Sequence, residues 1–368
     1  MNRSQCVLCE GSLSELFVLR QYPITITYGT HNISNDEFAD SIHTSCEQCG
    51  NIQLSSLIDP EKLYKDSHNS TNHSPVWTEH HRAFSEFIIK YADTENILEI
   101  GGNTCVLYQH LKDAFKSYSI LDICDSEKRS SAVKYIQGDC ESFDFTDISS
   151  VVMSHTFEHL YNPKRFIQRI SYAPVRSVFI SIPNMDYMYT NNNLHVLSNE
   201  HTFFVGDNEI RYLFSKGGYI CTESFTFKEH SYFYKFVYNT HTTPLILYNS
   251  IKRSNDIKRI TLDFESYLDT ISISTPFFIC PAGGYGQKVY YYLNRRLISA
   301  MGFIDNDVNK QAKRLCGTSI DIYSPNILLD CMNTEVCVVL CGAMYTNEIQ
   351  AQLRKIHPNI KFIHIRGF

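Results

Sequence analysis

No run of apolar residues in this 368-residue sequence approaches the ~18 that a membrane-spanning helix needs. The N-terminal stretch MNRSQCVLCE has neither the apolar core nor the cleavage signal of an export sequence. Basic residues are outnumbered, 33 Lys and Arg against 39 Asp and Glu, for a net charge of −6. With no Lys/Arg cluster interleaved with aromatics, nothing would draw a polyanion to the chain, and nucleic acid is not an expected partner. A cytoplasmic protein with no membrane association is the expectation. Hydrophobic residues at 43% and charged residues at 20% describe a globular chain of two or three domains.

Cysteine, by contrast, is abundant. Of the thirteen, nine (positions 105, 124, 140, 221, 280, 316, 331, 337 and 341) are scattered, mostly in apolar runs, and read as small buried hydrophobes. The other four are paired: Cys6-Val7-Leu8-Cys9 is answered by Cys46-Glu47-Gln48-Cys49-Gly50. Two such knuckles bring four thiolates to one point, the donor set of a structural zinc with no open position. Cys6, Cys9, Cys46 and Cys49 are the expected ligands. Between them, Leu16–Leu19 and Ile24–Thr27 suggest a short β insertion.

Residues 76–91 repeat apolar side chains at helical spacing and read as a packing helix. Strands alternating with helices follow: Ile97–Ile100, Tyr118–Leu121, a segment ending at Gly138-Asp139, Ser149–Met153 and Ser177–Ile182. This is an α/β pattern with a doubly wound parallel sheet, whose ligands sit at the carboxyl ends of the strands. Those ends carry Gly101 and Gly102 in the loop ILEIGGNTCVL. Asp122 follows about 20 residues on, placed for a ribose diol. Asp139 is placed for an adenine amino group, and His155 follows the next strand. A nicotinamide dinucleotide needs a G-x-G-x-x-G turn for its pyrophosphate, and here Asn103 and Cys105 occupy two of those places. S-adenosylmethionine (SAM) has no phosphate and accepts a looser turn. The cofactor contacts expected from this pattern are Gly101, Gly102, Asp122 and Asp139.

Ser154-His155-Thr156-Phe157-Glu158-His159-Leu160-Tyr161-Asn162-Pro163 resembles the N-x-L-E-H-x-x-D/N-P segment of class I SAM-dependent methyltransferases. Cys46–Leu54 with Asp59-Pro60-Glu61-Lys62-Leu63-Tyr64, and Glu99–Cys105 against E-I-A-S-N-D-G, resemble three-domain sugar C-methyltransferases. That resemblance covers almost the whole chain. It implies a zinc-binding module at residues 1–70, a SAM-dependent methyltransferase domain at 71–255, and a C-terminal Rossmann-like domain at 256–368 that closes over a nucleotide-linked sugar without a cofactor of its own. The resemblance implies Glu99, Asn103 and His155 as cofactor contacts as well, with His159 left as packing. Cys105 replaces the family's last glycine.

A long loop, NMDYMYTNNNLHVLSNEHTFFVG, follows the strand ending at Pro183, and loops of this length are commonly functional. Asn199-Glu200-His201 resembles the end of the family's Y-H-E-H motif, with Ser198 and Asn199 where the family has Tyr and His. The resemblance implies that His201 removes a proton beside a ketone, oriented by Glu200; His195 is a lesser candidate. The segment after Tyr64, KDSHNSTNHS, lacks a second substrate-side Tyr. Methylation of a glycan or sugar hydroxyl is therefore an alternative to C-methylation of a keto-deoxysugar. Two further classes stay open. The turn Cys280-Pro281-Ala282-Gly283-Gly284-Tyr285-Gly286 with Asp305 would suit a nicotinamide oxidoreductase. A non-enzymatic zinc-module adaptor would use neither site. Oligomeric state is not legible.

Overall fold

The first strands are β1 (Leu13–Pro23), β2 (Gly29–Thr30), β3 (Phe38–Cys46) and β4 (Ile52–Leu54). In the computed structural model these and the elements below are described for residues 2–26, 29–64, 75–93, 96–103, 105–124, 131–193, 197–270, 273–342 and 346–365. Ile24–Ile26, expected as a second strand of the insertion, carry no strand, and Thr27 lies outside the described residues. Helix α1 (Pro60–Leu63) starts where Asp59 accepts from the Glu61 N–H and Pro60 fills the first position. Helix α2 (Pro75–Tyr91) follows as the periodicity predicts.

The central strands are β5 (Asn96–Ile100), β6 (Ser117–Asp122), β7 (Lys134–Gln137), β8 (Ser150–Ser154) and β9 (Ser177–Pro183). A two-residue β10 (Phe203–Phe204) precedes β11 (Tyr219–Phe227) and β12 (Ser231–Tyr238). Between them run α3 (Val106–Leu111), α4 (Pro163–Tyr172), α5 (Met185–Thr190) and α6 (Asp207–Lys216). The seven-stranded sheet has the order β11-β12-β9-β8-β5-β6-β7. Its strands β9, β8, β5, β6 and β7 are parallel, and β12 inserts antiparallel between β9 and β11. All seven residues of β9 are buried, as expected where helices cover both faces of a parallel sheet. The Asn162-Pro163 pair starts α4: the Asn162 side chain caps the Arg165 N–H and Pro163 takes the first turn.

A second set follows α7 (Ile251–Thr270): β13 (Phe277–Cys280), α8 (Gly284–Arg295), β14 (Gly302–Ile304), β15 (Arg314–Leu315), β16 (Ile322–Tyr323), β17 (Cys337–Leu340), α9 (Thr346–Ile356) and β18 (Lys361–His364). Its parallel sheet has the order β16-β14-β13-β17-β18, a small Rossmann-like sheet as expected.

By contacts the chain divides into two units. One comprises Met1–Leu16, His43–Met188 and Asn199–Ser254, and the other Phe17–Ile42, Tyr189–Ser198 and Asn255–Phe368. In the first unit Cys6, Leu8, Cys46 and Cys49 belong to the same core as the sheet residues Val151, Val178 and Phe236. In the second, β2 pairs with β15, and the Arg314 guanidinium forks onto both oxygens of Asp36 at 2.8 and 2.9 Å. No helix among the described residues is long and apolar enough to cross a membrane.

Candidate functional site

The four cysteines converge. Cys6 and Cys49 sulfurs are 3.7 Å apart, Cys9 and Cys46 are 3.4 Å apart, and all four lie within 4.8 Å of one another. A tetrahedral ion with Zn–S bonds of about 2.3 Å separates its sulfurs by about 3.8 Å, so the donor set fits zinc. Backbone N–H groups of Leu8, Gln48 and Cys49 point at the sulfurs, favouring thiolates. Gly50 is required: its φ is +75°, and a Cβ there would run into the Ser250 backbone.

The loop after β5 is held by the chain itself. Gly101 has φ +77° and a Cβ on it would strike Thr156; one on Gly102 would come 2.8 Å from the Glu99 carboxyl carbon and from Ile120. Protein packing alone thus requires glycine at both positions. Glu99 is fully buried and accepts from the Tyr118 hydroxyl at 2.7 Å. Burial raises its carboxyl to about 7, against the hydrogen bond from Tyr118 and with help from the Asp122 charge. It forms the floor of the loop. Cys105, standing for the missing glycine, adopts the left-handed conformation (φ 61°, ψ 27°) at the start of α3.

At the end of β6, Asp122 Oδ2 accepts from the Asn103 N–H at 2.9 Å, and Oδ1 accepts from the Cys124 N–H at 2.9 Å. Burial raises its pKa despite those bonds. Asn103 Oδ1 is buried with no hydrogen-bond partner, an acceptor aimed into the loop that would suit a ligand amino group. Asp139 lies exposed beyond β7, its Oδ1 accepting from the Glu141 N–H at 2.8 Å. The sheet therefore brings Asn103, Asp122 and Asp139 to the carboxyl ends of adjacent strands. His155 sits past β8, its Nε2 2.7 Å from Ser231 Oγ and its ring 4.8 Å from Trp77.

His201 is held by the N-terminal segment. The next residue, Thr202, donates its N–H to the Glu158 carbonyl at 2.9 Å and accepts from the Leu54 N–H at 3.0 Å. Arg3 donates to Thr202 Oγ1 at 2.9 Å and to the Tyr161 carbonyl at 2.7 Å, and β10 pairs with β4. The His201 ring packs edge-on against His159, centroids 4.9 Å apart. His159 Nδ1 is 3.0 Å from the Tyr64 hydroxyl. Burial, and next the nearby His155, lower His201 to about 3, so the ring is neutral at pH 7 and taking up a proton requires a carboxylate partner to offset that burial. Ligand atoms of Glu158, His159 and His201 lie within 4.8 Å of one another. Glu158 thus joins the Glu200 expected from sequence, and His159, read as packing, belongs with the candidate base. Burial raises the Tyr64 hydroxyl, followed by the charges of Glu200 and others including Asp122. His195 and residues 65–74 lie outside the described residues.

Sequence reasoning passed over Trp77, His80 and His230. Only the doublet His80-His81 on α2 hinted at them, since the groups they meet are remote in sequence. In the C-terminal unit, Lys310 Nζ donates to the Ala282 carbonyl at 3.0 Å and lies 3.8 Å from Asp305. The acid expected to bind a nicotinamide ribose thus already faces an ammonium.

The order and directions of the seven strands, with one antiparallel strand next to the last, are those of the class I methyltransferase fold. No family model and no curated protein matches the chain. Among solved structures, the chain is similar to magnesium protoporphyrin IX methyltransferase from Synechocystis PCC 6803, at 12% identity over 45% of this chain and 84% of that one, TM-score 0.37. The PH0226 protein of Pyrococcus horikoshii OT3 aligns at 13% identity over 48% and 99%, TM-score 0.40. The N-methyltransferase NodS of Bradyrhizobium japonicum WM9 aligns at 13% identity over 47% and 92%, TM-score 0.38. The fold assignment rests on the sheet order and not on these likenesses.

Proposed function

We propose that this protein is a SAM-dependent methyltransferase acting on a sugar or nucleotide-linked sugar, with C-methylation of a keto-deoxysugar as its reaction. The observation that carries the reading is the setting of Tyr64. Its hydroxyl contacts His159, which packs on His201, and it also feels the charges of Glu200 and Asp122. The phenol is thus linked through His159 to the candidate base.

Asp122 and Asp139 would bind the ribose and adenine of the cofactor, and Asn103 Oδ1 would accept from its amino group. Bound SAM would supply an electrophilic sulfonium methyl. His201, neutral near pH 7, would take the proton from the carbon beside the substrate ketone, leaving the electron pair as an enolate. A carboxylate beside the ring stabilises the imidazolium that results; Glu200 and Glu158 are the groups available. The four thiolates of Cys6, Cys9, Cys46 and Cys49 would hold a structural zinc, and the segment they stabilise carries Arg3 and β4, which fix Thr202. On a hydroxyl acceptor His201 would remove the proton from oxygen instead; Ser198 and Asn199, in place of the family's Tyr and His, favour keeping this second reading.

The test is incubation with SAM and a set of nucleotide-linked 4-keto-sugars, read by mass. The reading predicts a methyl gain that His201→Ala abolishes while affinity for S-adenosylhomocysteine is retained. Undiminished turnover in His201→Ala would remove His201 as the base.

A further inference from the structure

One ring nitrogen from each of His80, His155 and His230 lies within 4.8 Å of the other two. The three residues come from α2, the turn after β8 and the hairpin turn before β12, so their convergence is a product of the fold. Trp77 covers them, its ring 5.2, 4.8 and 4.8 Å from those of His80, His155 and His230. His80 is fully buried, while His155 and His230 keep some exposure, which leaves a route in.

Among these rings His80 Nδ1 is left unused by the protein's own hydrogen bonds, and a single hydroxyl serves the other two. Ser231 Oγ stands 2.7 Å from His155 Nε2 and 2.6 Å from His230 Nδ1. A hydroxyl has one proton, so it donates to one ring and must accept from the other. His80 Nε2 is 2.7 Å from Ser181 Oγ, but His80 Nδ1 is buried with no hydrogen-bond partner. His155 Nδ1 lies 3.4 Å from Glu158 Oε1, which has no hydrogen-bond partner, so a small rotation would make the carboxylate–imidazole bond that orients a metal-binding histidine. His155 holds this position at φ 49°, a left-handed conformation that costs a non-glycine residue free energy and that recurs at functional sites.

We propose that His80, His155 and His230 form a metal centre for a divalent first-row transition ion, with Glu158 orienting His155 from behind. Clustered neutral imidazoles are the donor set that zinc, nickel, copper and iron take. A tetrahedral ion with bonds of about 2.05 Å holds its nitrogens about 3.4 Å apart, a contraction that small side-chain rotations supply. Three protein ligands leave a fourth position for water or another oxygen ligand, whereas the four-cysteine site is closed. The centre goes beyond the methyltransferase reading and does not depend on it.

Trp77, the sole tryptophan of the chain, provides the readout. The full-length protein is loaded with one equivalent of zinc, which the thiolates retain against cobalt, and then titrated with cobalt(II) chloride. The proposal predicts loss of Trp77 emission, saturating at one equivalent, together with visible absorption bands of cobalt in nitrogen and oxygen ligation. His230→Gln abolishes both while keeping the thiolate-bound zinc and an unchanged melting temperature. Glu158→Gln retains the bands but weakens cobalt affinity about 10–100-fold. Unchanged Trp77 emission with excess cobalt, or equal quenching in the wild type and His230→Gln, would overturn the proposal and leave a hydrogen-bonded His–Ser network. If His230→Gln fails to fold, His80→Gln makes the same test from α2.

Discussion

The main-chain N–H of Asn103 donates to Asp122 Oδ2 at 2.9 Å, tying the loop after the first central strand to the acid at the end of the second. Asp122 therefore has two duties in the proposed site, holding the loop and binding the ribose. Asp122→Ala should weaken S-adenosylhomocysteine binding by about 10–100-fold, the range expected for hydrogen bonds to a charged group. Calorimetric titration measures it. An unchanged affinity would place the ribose elsewhere.

Arg3 reaches Thr202 and the Tyr161 carbonyl and touches neither candidate cofactor residues nor His201. Arg3→Ala should lower turnover roughly 10–100-fold through misplacement of His201 while leaving S-adenosylhomocysteine affinity intact. Initial-rate kinetics beside calorimetry separate the two. Equal losses in both would mean that Arg3 acts on the fold as a whole.

Cys105 is 1% exposed yet left-handed in backbone conformation. Replacing it by alanine keeps the strain and loses the sulfur's packing, whereas glycine loses the packing but relieves about 1 kcal/mol of strain. Cys105→Gly should therefore be more stable than Cys105→Ala by about 0.5–1 kcal/mol, the reverse of the order inside a regular helix. Urea unfolding of the two variants decides it.

Glu99 has its folded pKa raised to about 7 by burial, from an ordinary 4.5. Between those values the native chain holds a proton that the unfolded chain has released. The contribution is thus fully present below pH 4.5 and lost as pH rises through 7, about 3 kcal/mol at most. Glu99→Gln should flatten the fall in stability over that window, seen in denaturant midpoints between pH 4.5 and 8. A wild-type and variant pair falling in parallel would assign the dependence to other groups.

Much of this architecture was legible because it is written in contiguous stretches. The strands ending at Ile100, Asp122 and Pro183 are apolar runs followed by turn residues, and Asn162-Pro163 marks a helix start by local chemistry alone. The paired CxxC knuckles were visible for the same reason. What escaped was assembled at a distance. Asp36 meets Arg314 across 278 positions, so nothing between Cys9 and Cys46 announced that residues 17–42 would cluster with the C-terminal unit. Likewise His80, His155 and His230 lie in a helix, a turn and a hairpin, and each alone reads as an ordinary histidine. Glu158 was visible in the motif, but its approach to His201 depends on Thr202 bonding back to it.

The central claim is that the Gly101–Asn103 loop with Asp122 forms a SAM site. Calorimetric titration of the zinc-loaded protein with S-adenosylhomocysteine tests it most directly. The account predicts saturable binding in the micromolar range at one site per chain, lost in Asp122→Ala. Absence of binding by the folded, zinc-loaded protein would contradict it.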